Sequence, residues 1–306
     1  MRLKGIIPAI GTPMNPDCSV DTESLRKYVR WLVEQGVHGL AVNADTGEGP
    51  HLWPEERRLV IETVKSAIGD AVPVVAGLSA MFTDQAVREA RLAKSAGADA
   101  LLVFPIPAFR GKPQGSSMIV DYHQRVAEDA GLPLIMFQLQ DALGGVEFEM
   151  ETLERLASTA GVIAIKEASF EANKYVRTFR YLRQVAPDLA LLSGNDNFLA
   201  ESLILGADGM LIGFGTLCVK EQVAMYDAAV LHDWEEVSRI GEQVQPLSDF
   251  VFSAPVRDYR ARTKEALRQM GLFATSTVRP PLTPLHDDDK DRVRSALVKA
   301  GQGCWL

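Results

Sequence analysis

The chain reads as an α/β protein, a (β/α)8 TIM barrel with a C-terminal helical extension, and its repeating pattern carries that reading. Short apolar runs alternate with longer amphipathic stretches at a spacing of about 30 residues, which suits βα units. The runs are Ile6–Ile10, Gly39–Asn43, Val72–Leu78, Ala100–Phe104, Leu132–Phe137, Val162–Lys166, Leu189–Ser193 and Met210–Gly213, the complement of an eight-stranded barrel. The junctions Gly36-Val-His-Gly-Leu-Ala-Val42, Gly97-Ala-Asp-Ala-Leu-Leu-Val103 and Gly206-Ala-Asp-Gly-Met-Leu-Ile212 repeat one design. In each, a glycine able to take positive φ precedes an apolar strand, as expected where a helix hands over to a strand.

The first helix is marked by the potential cap Asp21, an apolar stripe of Leu25, Tyr28, Val29, Leu32 and Val33, and the terminator Gly36. The second opens with Pro54 in its first turn and Glu55 and Glu56 near its positive end, then turns Leu59, Val60 and Val64 inward. Beyond the last strand, helical stretches are expected around Val219–Val230, Asp233–Val244, Val256–Met270 and Asp287–Ala300. No composition break marks a flexible linker, so the barrel is placed at residues 1–220 and the appended helices at residues 221–306, packed as one structural unit. The Pro-rich Arg279-Pro-Pro-Leu-Thr-Pro284 reads as a rigid connection.

A chain of 306 residues that is 47% hydrophobic and 24% charged can bury a substantial core. Its net charge of −8 and scattered cations argue against nucleic acid and anionic membranes as partners. Cys18, Cys218 and Cys304 are odd in number, far apart and without metal-ligand spacing, which fits a reducing cytoplasm and no metal site. The start resembles no secretory leader, and no apolar run reaches membrane-spanning length.

Chemistry is signalled by Lys166, which closes the run Val162-Ile-Ala-Ile165 and opens Lys-Glu-Ala-Ser. An ammonium at the end of a buried strand is desolvated, which lowers its pKa and exposes a nucleophilic amine of the Schiff-base kind. On period-2 alternation Val162, Ala164 and Lys166 share one face, so the amine would project above the small Ala164 with room for a carbonyl compound.

Several segments together resemble the dihydrodipicolinate synthase and N-acetylneuraminate lyase family of class I aldolases. They are Ala9-Ile-Gly-Thr-Pro13, Asp45-Thr-Gly-Glu48 followed by Pro54-Glu-Glu-Arg57, Ile165-Lys-Glu-Ala-Ser169, Ser193-Gly-Asn-Asp196 and Val278-Arg-Pro-Pro-Leu282. Any one is weak; their order and spacing along the chain are specific. The resemblance implies Lys166 as the imine-forming residue on strand six, no cofactor, and a homotetramer built as a dimer of dimers.

This chain also departs from that pattern. Strand five in the family ends in tyrosine, followed by asparagine, a hydrophobic residue and proline, whereas here it reads Phe137-Gln-Leu-Gln140 and the relay hydroxyl is missing. General acid–base help of that kind is worth about 10²–10⁴-fold. The region after strand four reads Pro105-Ile-Pro-Ala108, without the synthase branch's tyrosine, and Ala142 stands where its arginine would be. Genuine dihydrodipicolinate synthesis is therefore not expected. After strand two the family carries two adjacent hydroxyls that hold a keto acid's carboxylate, and this chain has Asp45 and Thr46. Asp45 would repel a carboxylate unless protonated or turned away, or else carry protons; the bland alternative is a helix cap or a solvated side chain.

The candidate catalytic residues are thus Lys166, Thr46 and Asp45, and the candidate substrate-binding residues are Phe137, Gln138, Gln140, Gly194, Asn195 and Gly213. His38, His51, Arg110 and Lys112 read as structural or solvated, and the isolated Gly213-x-Gly215 lacks dinucleotide-binding context. The expected function is a Schiff-base lyase on a small-molecule 2-oxo acid, by retro-aldol cleavage or by dehydration of a hydroxylated keto or sugar acid. The alternative is a barrel with little catalysis that binds a small carboxylate as a sensor or regulatory protein.

Overall fold

The computed structural model describes residues 3–111 and 116–303, so Lys112 and Cys304 fall outside the described residues. Its parallel strands are β1 (Gly5–Pro8), β2 (Leu40–Val42), β3 (Val74–Leu78), β4 (Ala100–Val103), β5 (Leu134–Leu139), β6 (Val162–Ala168), β7 (Ala190–Ser193) and β8 (Gly209–Ile212). The sheet runs β1-β8-β7-β6-β5-β4-β3-β2. Between β1 and β2 the closure is a single parallel bridge, Ala9 to Ala41, where the Ile10 amide donates to the Ala41 carbonyl at 2.9 Å. This is a (β/α)8 barrel with a C-terminal helical part, as the alternation of apolar runs predicts.

The helices around it are α1 (Thr22–Glu34), α2 (Pro54–Ile68), α3 (Thr83–Ser95), α4 (Ser117–Ala130), α5 (Met150–Ala157), α6 (Ala172–Val185), α7 (Leu199–Ile204) and α8 (Val219–Val230). The extension adds α9 (Trp234–Val251), α10 (Tyr259–Gln269) and α11 (Asp287–Lys299). Asp21 caps α1 by accepting from the amides of Glu23 and Ser24 at 3.1 and 3.0 Å. Gly36, Gly97 and Gly206 all take positive φ, at 91°, 101° and 97°, where a Cβ would be strained.

Strand alternation divides the apolar side chains into two cores. Ile7, Ala41, Val75, Leu102, Ile135, Ala164, Leu192 and Leu211 fill the barrel. Ile6, Leu40, Val42, Val74, Leu101, Met136, Ile165 and Met210 face the helices. Three expectations need correction. Val162 joins the outer core because Leu134 pairs with Val162 and Ile135 with Ala164, leaving Ile163 as a bulge; the alternation that carries Lys166 inward starts only at Ala164. Leu59 is 40% exposed, since the buried stripe of α2 is Val60, Ile61, Thr63 and Val64 and Leu59 lies on its far side. The α9 helix does not stop at Val244 but runs through Pro246 to Val251.

Candidate active site

Lys166 sits on the inner face of β6 near its carboxyl end, in register with Phe137 on β5 and Leu192 on β7. Its side chain is held between two walls. On one side the ammonium lies 4.4 Å from the Phe137 ring centroid. On the other is Gly194, where a Cβ would stand 2.7 Å from Lys166 Cε and 2.8 Å from Ala168 Cβ, so only glycine leaves the stem its place. Among the described residues, no carboxylate oxygen lies within the 4.0 Å of an ion pair with the amine.

Burial is the largest influence on this amine and pushes its pKa down to about 8, against the opposing fields of Asp196 and Asp45. At neutral pH roughly a tenth of the molecules then carry a free amine, several hundredfold more than for an ordinary lysine. Asp196, in the loop after β7, is raised to about 7, again first by burial and against the amide of Phe214, which it accepts at 2.7 Å. Its backbone carbonyl accepts from Ser248 Oγ at 2.6 Å, which pins the loop to α9. Asp196 belongs to a segment the sequence marks, but without Lys166 beside it in space nothing singles it out from its neighbours.

Asp45 and Thr46 lie in the turn after β2. Asp45 does not cap α2, whose cap residue is Trp53, with its amide taken by Glu56 at 2.8 Å. Nor is it solvated: it is 8% exposed, and both carboxylate oxygens are occupied. Arg260 Nη2 donates to Oδ1 at 2.6 Å, the Tyr259 hydroxyl to Oδ2 at 2.7 Å, and Arg260 Nε to the Asp45 carbonyl at 3.0 Å. The guanidinium cancels the charge that would repel an anionic ligand. The Tyr259 hydroxyl also stands 3.4 Å from Thr46 Oγ1. The amides of Thr46 and Gly47 make no hydrogen bond among the described residues, leaving two N–H groups in this turn. Gly213 closes the same wall, with a Cβ there 2.9 Å from both Thr46 Oγ1 and Phe252 Cζ. Tyr259 and Arg260 were not visible as site residues in the sequence, because they are more than 200 residues from the carboxylate they bind, 214 in the case of Tyr259.

The remaining candidates separate by strand face. Phe137 faces the lumen and packs edge-on against Phe104 at 5.0 Å. Gln138 points the opposite way, donating to Glu167 Oε1 at 3.2 Å and accepting from the Phe148 amide at 3.1 Å. Asn195 is used up in the same outer network: its amide nitrogen donates to Glu167 Oε2 at 2.7 Å and its oxygen accepts from Phe170 N at 2.7 Å. Alternation puts Glu167, and hence both of its partners, behind the strand from Lys166. Gln140 joins the ends of β5 and β6 through its backbone, donating to the Ala168 carbonyl at 3.1 Å, and its side-chain nitrogen is buried without a partner among the described residues. His38 accepts from the Ile6 amide at 3.2 Å, and Arg110 donates to the Gly144 carbonyl at 2.6 Å, so both hold structure. Among the described residues no three His, Cys, Asp or Glu side chains gather as a metal site.

The segments around the turn after β2 are tied to the extension by buried charges. Glu48 pairs with Lys264 of α10 and accepts from the Arg279 amide at 2.9 Å. The Arg279 guanidinium binds both oxygens of Glu56, at 2.5 and 2.6 Å, and the His51 carbonyl at 2.9 Å.

An eight-stranded parallel barrel with this mouth is a lyase of the class I aldolase type. The chain belongs to the dihydrodipicolinate synthetase family, whose sequence profile matches residues 2–300. A 4-hydroxy-tetrahydrodipicolinate synthase of Cellvibrio japonicus is 31% identical over 301 residues, covering 98% of this chain and 99% of that one. The chloride-inhibited dihydrodipicolinate synthase of Acinetobacter baumannii, solved with pyruvate, superposes with a TM-score of 0.86 at 30% identity over 97% of this chain and 99% of that one. N-acetylneuraminate lyase of Fusobacterium nucleatum shares the fold, with a TM-score of 0.84 at 22% identity over 97% and 98% of the two chains.

Proposed function

We propose that Lys166 condenses with the ketone of a hydroxylated 2-oxo acid, and that the resulting imine drives either retro-aldol cleavage or dehydration. The observation that carries this reading is the buried amine at the end of β6, without a carboxylate ion pair among the described residues and depressed to about 8. A protonated imine withdraws electrons from the adjacent carbon, so a bond one position further along can break. Pyruvate in the Acinetobacter relative supports a 2-oxo acid here. The free amides of Thr46 and Gly47, with Asp45 neutralised by Arg260, form a cradle suited to its carboxylate. Gly194 makes room for the Lys166 stem and Gly213 for Thr46 and Phe252, and the Gln140 side-chain nitrogen, without a partner among the described residues, is suited to a substrate hydroxyl. Gln138 and Asn195 act as scaffold.

The wall beside Lys166 speaks against the synthase reaction itself. Phe104 and Phe137 present rings where a dicarboxylic product would need polar partners. A cytoplasmic homotetramer is part of the same proposal, supported by the family and by the free thiols of Cys18 and Cys218. Incubation with candidate 2-oxo acids followed by borohydride should reduce the imine and add the acid's mass to Lys166. A panel of such acids that leaves the lysine unmodified overturns the reading.

A further inference from the structure

Tyr259 is the first residue of α10, outside the barrel strands, yet its ring is buried at the mouth and only 2% exposed. Its hydroxyl donates to Asp45 at 2.7 Å and reaches Thr46 Oγ1 at 3.4 Å. The ring stacks on Phe252 at 4.6 Å, which fixes its plane. Its Cε2 lies 3.5 Å from the point a Cβ on Gly213 would occupy, so the ring borders the lumen wall at the end of β8. On the side of β5, Phe137 offers no hydroxyl.

We propose that Tyr259 is the proton carrier of the reaction, a phenol supplied by the C-terminal extension in place of the one that β5 lacks. The proposal rests on the imine chemistry set out above. The neutral Lys166 amine adds to the ketone carbon, and one nitrogen-bound proton moves to the former carbonyl oxygen. That oxygen takes a second proton from the Tyr259 hydroxyl and leaves as water while the carbon–nitrogen bond becomes double. The phenolate then regains a proton from a hydronium ion or buffer acid in the solvent, so one amine, one ketone and one proton become one protonated imine and one water. Arg260, 5.1 Å from the Tyr259 ring centroid and bonded to Asp45, balances the negative charge while the phenol is deprotonated. Burial and the neighbouring Asp45 keep the phenol protonated at neutral pH, so the donor is always loaded. A purely structural role would leave Tyr259 as a second strut on a residue that Arg260 already holds, by its carboxylate and by its backbone carbonyl.

The test compares the wild type and Tyr259→Phe for turnover and for the rate of borohydride-trappable adduct at Lys166, using the 2-oxo acid that modifies the wild type. The expected result is a fall of about 10²–10⁴-fold in turnover and in trapping rate, with KM little changed and the same adduct mass at long times. No adduct in the wild type removes the imine reading and this proposal with it. A wild-type adduct together with undiminished turnover and trapping in Tyr259→Phe removes this proposal alone. Should Tyr259→Phe fail to fold, 3-fluorotyrosine incorporated at position 259 keeps the shape and lowers the hydroxyl pKa. It should then shift the pH dependence of trapping, and an unshifted profile overturns the proposal.

Discussion

Gly194→Ala is the sharpest test of how the candidate amine is held. The new Cβ would stand 2.7 Å from Lys166 Cε, 2.8 Å from Ala168 Cβ and 3.0 Å from Lys166 Cγ. Ordinary carbon–carbon contact is about 3.5–4.0 Å, so the lysine stem must move by roughly 1 Å. It has little room to do so, because the Phe137 ring centroid is already 4.4 Å from the ammonium on the far side. Overpacking of this kind costs about 1–3 kcal/mol, which lowers the melting temperature by about 2–5 °C in a domain of this size. Misplacing a reacting atom by about 1 Å costs on the order of 10²-fold in rate. Calorimetry should therefore show a modest loss of stability, and borohydride trapping a loss of adduct formation far larger than that loss implies. A variant that traps a 2-oxo acid at the wild-type rate would refute the idea that Gly194 sets the position of Lys166.

Three other outcomes follow from buried charge. Lys166→Met should abolish adduct formation yet stabilise the protein. The folded lysine is depressed from 10.5 to about 8, so its burial cost is fully present below about pH 8 and disappears as pH rises toward 10.5. The gain should reach about 3 kcal/mol at neutral pH and fade in alkaline urea titrations. Lys264→Met removes the ammonium paired with the buried Glu48 carboxylate and should cost about 3–5 kcal/mol, whereas adding Glu48→Gln should recover part of that loss, as a double-mutant cycle by urea unfolding would show. His123, buried among Phe109, Tyr122 and Phe148, is pushed down to about 4 by burial. The unfolded chain therefore takes up a proton first as pH falls below 6.5, and stability drops by about 3 kcal/mol between there and pH 4. His123→Phe should flatten that acid limb in urea unfolding curves, and an unchanged limb would assign it elsewhere.

The barrel was legible because its determinants are local. Each strand is a short apolar run, and six of the seven helix-to-strand returns carry a glycine at positive φ. Lys166 was legible for the same reason, since one charge ending an apolar run is a local anomaly. The bulge at Ile163 was not, because it is set by the register with β5 rather than by β6 alone. Gln138 is a substrate-binding candidate in the sequence because it stands at the end of the fifth apolar run, but β5 continues to Leu139 and its alternation turns Gln138 outward. Asp45 shows the limit most plainly. A carboxylate in a turn after a strand gives no sign of its counter-ion, and its partners are contributed by α10 from the other end of the chain.

The ties between the turn after β2 and α10 also bear on how this protein can diverge. Asp45 and Glu48 each depend on a cation that only the extension supplies, Arg260 and Lys264 respectively. Grafting the tail of a relative onto this barrel would strand two acids in the interior unless the recipient turn were exchanged with it. Recombination within the family should therefore preserve these distant segments as a linked pair, inherited together even though most of the gene lies between them.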